Sequence, residues 1–185
     1  MKYNKHGQIW VETVLYTLIG LALIGVVLAI VTPKINDARD RISVEQTIDS
    51  LNVLDERIND VLDRGVGNIR IVPSFSIKRG ELFVDSSSDE ISFVISNLRK
   101  PYSEVGVPIN IGRVEVVSEE GQKDNKVTLK IKYEGDTDLI YGGQAEELKK
   151  FTPSSTPYRF SIQNLGERND RGVFVVDIQE TSRRS

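Results

Sequence analysis

The residue types that carry most protein chemistry are scarce in this chain. It has one histidine, His6, and no cysteine among 185 residues. Thiol nucleophiles, disulfides and Cys-ligated zinc are therefore excluded, as is histidine acid–base catalysis within a folded domain. No phosphate-binding loop, G-x-G-x-x-G, G-x-S-x-G or H-E-x-x-H sequence occurs. Three acidic clusters remain. Ser86-Ser87-Ser88-Asp89-Glu90 offers oxygen donors suited to calcium, but its serine-rich composition reads as a solvated turn. Asp124-Asn125 and Asp136-Thr137-Asp138 read the same way. An enzyme would have to use Asp, Glu, Lys or Tyr alone, and no spacing marks such a pair. The expectation is no catalytic residue, no metal site and no cofactor. A net charge of −3 with no basic stripe argues against a nucleic-acid partner.

Glu12 stands apart from these clusters. It directly precedes Thr13–Val31, a run of 19 residues without a charge. A stretch of about 18 or more such residues is long enough for a transmembrane helix. A carboxylate at the edge of one is costly and invites a functional reading, although an interfacial residue facing headgroups is the plainer alternative. A secretory signal peptide fits poorly, because the run is long and Thr32-Pro33-Lys34-Ile35 supplies no small-residue cleavage site. A soluble core helix fits poorly too, because the run has no polar stripe.

The stretch from Lys5 to Ile35, KHGQIWVETVLYTLIGLALIGVVLAIVTPKI, resembles the start of an archaeal type IV prepilin with a class III signal peptide. The match covers about the first 30 residues and extends loosely through the remainder of the N-terminal helix. In that family a peptidase cuts after the glycine of a short basic leader, before the apolar segment, which stays in the mature protein. The resemblance implies a leader of residues 1–7 and a processing site at Lys5, His6, Gly7 and Gln8. Glu12 then takes the fifth mature position, where the family has its recurring glutamate. It further implies that Glu12 pairs with the new α-amine of Gln8 on a neighbouring subunit and sets register during assembly. An unpaired charge among apolar helices is costly and a paired one tolerated. Two departures matter. The mature chain would start with Gln8 where bacterial pilins have an N-methylated Phe, and the C-terminal cysteine pair of many bacterial pilins is absent. Both favour an archaeal member.

The resemblance also implies the partners: a prepilin peptidase and pilus assembly machinery, the membrane before assembly, and further copies of the chain in a helical homopolymer. The expected location is the membrane as precursor and the cell surface as filament, with adhesion the expected role. A minor or tip subunit, or a single-span anchored binding domain that never polymerises, shares the same sequence features. An archaellum subunit ranks below these, since its mature start lacks this glutamate placement. Lys2 and Lys5 favour a cytoplasmic N-terminus, but Lys34, Arg39 and Arg41 lie beyond the run as well. The orientation N-in, C-out thus rests mainly on the resemblance.

These residues must be positioned by a helix. Beyond the apolar run, Ile35, Ala38, Ile42, Ile48, Leu51, Leu54, Ile58, Val61 and Leu62 recur at mostly three- and four-residue spacing, which predicts an amphipathic continuation. Gly65 and Gly67 supply the stop. One helix is expected over 8–64, about 85 Å long at 1.5 Å per residue, with 13–31 in the membrane or filament core. Pro33 is expected to kink or locally melt it. Gly25 and Ala29 form a small-xxx-small pair suited to close helix contact, or simply reflect the glycine and alanine common in membrane helices.

From Ile69 onward alternation replaces helical periodicity, most clearly in Val127–Tyr133. Further strands are expected at Ile69–Ile77, Glu81–Asp85, Glu90–Ser96, Pro108–Val117, Tyr158–Asn164 and Val173–Gln179. Turns are expected at Arg79-Gly80, Glu120-Gly121, Gly142-Gly143 and Asn169-Asp170. A short helix is expected over Gln144–Lys150, and Thr152–Pro157 (TPSSTP) reads as a surface loop. The fold class is α+β: a long N-terminal helix, transmembrane then amphipathic, packed on a C-terminal antiparallel β-sandwich-like domain over 65–185.

Overall fold

A computed structural model describes residues 5–133, 135, 137–145, 147–168 and 172–181, with the side chains of 5–9, 167 and 168 excepted. The chain divides into two compact units, Met1–Asp40 and Arg41–Ser185. One helix, α1 (Lys5–Asp63), belongs to both. Helical structure runs through Thr32 and Pro33 without interruption, so the local melting expected there does not occur. Pro33 has no N–H to give the Ala29 carbonyl. The neighbouring Leu28 carbonyl gains an extra donor, the Thr32 hydroxyl, at 2.6 Å.

In the second unit, α1 buries Val44, Ile48, Leu51, Leu54, Ile58 and Val61, all 3% exposed or less. Their three- and four-residue spacing is the helical repeat. The stripe therefore begins at Val44. Ile35, Ala38 and Ile42, expected to lead it, are exposed. Ile42 precedes Val44 by only two residues, which places the two on different faces of the helix. Beyond Asp63, Gly65 at φ +86 turns the chain as few side-chain-bearing residues can. The Asn68 amide then donates to the Arg64 carbonyl at 2.8 Å, which satisfies one of the last free helix carbonyls.

Among the described residues, ten strands follow the helix: β1 (Ile69–Phe75), β2 (Glu81–Asp85), β3 (Glu90–Leu98), β4 (Ile109–Ile111), β5 (Val114–Glu120), β6 (Asn125–Lys132), β7 (Thr137–Tyr141), β8 (Leu148–Phe151), β9 (Tyr158–Arg168) and β10 (Phe174–Glu180). They form a four-stranded sheet, β1-β9-β10-β7, and a six-stranded sheet, β4-β5-β6-β3-β2-β8. Among the described residues, the pairings between these strands are antiparallel except that of β10 with β7. The alternating burial of β2 and β3 marks a sheet with one face inward. Inward residues of both sheets, such as Leu82, Ile91, Leu129, Phe160, Ile162 and Val176, form one core with the helix stripe. The fold is α+β, a long N-terminal helix packed on a largely antiparallel sheet domain.

The structure corrects local expectations in four places. Gln144–Lys150 is not a helix, because Leu148–Phe151 forms β8, with Leu82 opposite the buried Phe151. The edge of β2 needs a partner, and that requirement outweighs the helix preference of Glu and Lys. Pro108–Val117 is two strands, with Gly112 at φ +66 in the turn between them. Thr137 and Asp138, expected in a turn, open the strand Thr137–Tyr141. The Ser86–Glu90 turn is not simply solvated: Ser86 and Asp89 are buried, and the Asp89 carboxylate accepts the Leu139 N–H at 2.8 Å. Asp136 and the Asn169-Asp170 turn lie outside the described residues.

Candidate functional site: the exposed apolar helix

Between Trp10 and Val31 every large apolar side chain of α1 is exposed, from 39% at Val14 to 70% at Trp10. Removing such a side chain fully from water is worth about 1.5–3 kcal/mol, and a succession of this length cannot remain in water without association. The segment is long and apolar enough to cross a membrane, and none of its apolar window is buried in the protein. This is the coarse property on which any functional reading must rest.

Polar groups along the segment are satisfied within the helix. The Thr17 hydroxyl donates to the Thr13 carbonyl at 2.8 Å, a local bond that lets threonine sit in an apolar medium. The Tyr16 hydroxyl donates to Glu12 Oε1 at 3.3 Å. Tyr16 lies four residues after Glu12, one turn on and on the same face. The spacing alone is enough to pair the two, a signal absent from the site residues expected above. The bond leaves Oε2 of Glu12 for a further donor. Gly20 and Gly25 have nothing within 4 Å of where a Cβ would stand, so packing within the chain gives no reason for glycine at either position.

Lys5, His6, Gly7 and Gln8 fall in the first turns of α1, so helical backbone begins ahead of Gln8. Their side chains lie outside the described residues, as do Met1–Asn4 of the expected leader. Glu12 and Pro33 take their places further along the same helix.

In the second unit, charge is spent on fastening the helix. The Tyr133 hydroxyl, deeply buried, donates to Asp55 Oδ1 at 2.7 Å. Burial and the adjacent Asp55 carboxylate push the Tyr133 phenol far above its usual range. Asn59 donates to the other Asp55 oxygen at 3.1 Å, and Arg113 Nε stands 3.6 Å from Oδ1. Asp60 is bonded by Arg64 at 2.7 Å and by Arg70, and Asn164 donates to the Val61 carbonyl at 3.2 Å. Among the described residues, no group of three or more His, Asp or Glu side chains is placed to hold a metal ion. Comparison with family models, curated proteins and solved structures found no match.

Proposed function

We propose that this chain is a structural subunit of an extracellular filament of the type IV pilus kind, delivered through the membrane and assembled by bundling its N-terminal helices. The observation that carries the reading is the exposed apolar half of α1, which continues as the very helix that anchors a folded β-domain. Lipid would cover that surface before assembly and neighbouring helices afterwards. A continuous helix suits this role because it ties each domain directly to its anchor.

Glu12 fits the second stage. Processing after Gly7 creates an amine at Gln8, and the open oxygen of Glu12 is an acceptor for the amine of the next copy. The role is structural rather than catalytic, with adhesion following from display at the cell surface. The deciding experiment is mass spectrometry of the N-terminal peptide from membranes and shed filaments. A chain that starts at Gln8 supports the filament reading. One that retains residues 1–7 overturns it in favour of a static single-span anchor.

A further inference from the structure

Glu12 does not meet its surroundings alone. The Tyr16 hydroxyl, one helical turn on, donates its single proton to Glu12 Oε1 at 3.3 Å. A tyrosine that donates in this way still has lone pairs on its oxygen. Oε2 of Glu12 and the Tyr16 oxygen are thus two acceptors side by side on one face of α1. Both side chains are exposed, Tyr16 at 64%, so a second molecule can reach them. The neighbouring Thr17 hydroxyl takes no part, because it is turned back to the Thr13 carbonyl at 2.8 Å.

The chemistry of a fitting partner follows from the medium. In an apolar bundle, a donor left without an acceptor and a charge left without a counter-charge are both costly. An α-ammonium brings one positive charge and several N–H donors, more than a single carboxylate oxygen can satisfy. A divalent cation fits poorly, since calcium takes about six to eight oxygens and, among the described residues, no group of three acidic side chains is placed to hold one. The sequence narrows the source of the ammonium. From Gln8 to Pro33 there is no lysine, arginine or histidine, so after processing at Gly7 the new α-amine is the cation this whole segment carries. On its own chain that amine stands eight residues before Tyr16. That is about 12 Å of helix, farther than a tyrosine side chain reaches, so an amine that meets Tyr16 belongs to another copy.

We propose that Glu12 and Tyr16 together form the receptor for the Gln8 α-ammonium of the next copy. Tyr16 holds the carboxylate in place and accepts a second N–H from the incoming amine. This role rests on the filament reading and gives it a second residue. Solid-state NMR tests it on filaments isotopically labelled at the glutamine and glutamate residues and at the tyrosine ring carbon that bears the hydroxyl. The amine nitrogen is expected to couple to that ring carbon at about 4 Å, and to lose the coupling in Tyr16→Phe filaments. The substitution keeps the ring and removes the oxygen. Shed filament should therefore fall about tenfold, while the membrane level of subunit processed to Gln8 stays unchanged. Should Tyr16→Phe yield too little filament for spectra, the parent spectrum decides. Three results would overturn the role of Tyr16 and leave the filament reading standing. They are an amine beside the Glu12 carboxyl carbon with no tyrosine contact, a filament yield indifferent to Tyr16→Phe, or a Gln8 cyclised to its lactam, which has no ammonium to offer. A chain that retains residues 1–7 and forms no filament overturns both.

Discussion

Tyr133 and Asp55 illustrate how single residues hold the helix in place. Asp55 looks like a flaw in the apolar stripe, yet it is buried and bonded from the sheet. Tyr133→Phe leaves that carboxylate short of a donor, at a cost of about 1–3 kcal/mol for a buried group deprived of its partner. The expected outcome is a lower urea midpoint with an unchanged slope. Gly80 is a stricter case. It has φ +88, and a Cβ there would lie 2.5 Å from the Val94 carbonyl oxygen, so strain and collision act together. Gly80→Ala is expected to lower stability by about 2 kcal/mol or more, read in the same titration. Acid sensitivity belongs to the carboxylates. Hydrogen bonds from Ser87, its hydroxyl first, hold Asp85 below its ordinary value of 3.8 against the opposing effect of burial. Arg64 and then Arg70 do the same for Asp60. The unfolded chain takes up these protons first as pH falls, so the stabilisation is complete above pH 3.8 and is lost progressively below it. Midpoints measured from about pH 5 to about pH 2 should fall, and less steeply in Asp85→Asn.

At the scale of elements, α1 is one helix with two different tasks. Leu51→Ala empties space in a close-packed core and should cost about 2–5 kcal/mol. Leu28→Ala removes nothing from that core and should leave the domain's unfolding midpoint within about 0.5 kcal/mol of the parent. If the proposed filament reading holds, Glu12→Ala leaves membrane insertion intact and abolishes filaments, scored by fractionation and electron microscopy. Much of this division is legible in the sequence. The uncharged run declares the exposed half, the three- and four-residue spacing from Ile48 onward declares the buried half, and the glycines declare the end. The hidden part is non-local. Leu148–Phe151 is a strand because β2 lies beside it, and nothing within Gln144–Lys150 encodes that neighbour. Asp89 is buried because Leu139 needs an acceptor fifty residues away in the chain. Val44 escapes a reading of the periodicity because Ile42, nearby and equally apolar, fits the start of the pattern but faces outward. Tyr133 shows its role only once the strands on either side are in place.

For the whole molecule, the pairing of the first strand carries a consequence for the order of events during biosynthesis. Ile69, on β1, lies opposite Gln163, on β9, and β9 in turn pairs with β10, whose last residue is Glu180. The sheet that begins just after the helix cannot close until Glu180 has been made. Contacts between such distant parts of a chain bear the full entropy of loop closure before any stabilisation is gained, and they form slowly. A nascent chain that has reached β6 already displays Val44 through Val61 with only part of its cover. On the proposed reading, the apolar segment, made ahead of the domain, is free to enter the bilayer long before the domain exists. Maturation on that reading is split in time, with anchorage early and closure of the domain late. In the interval, a chain so anchored would be held to a surface and kept dilute, away from copies with which its bare strand edges would aggregate.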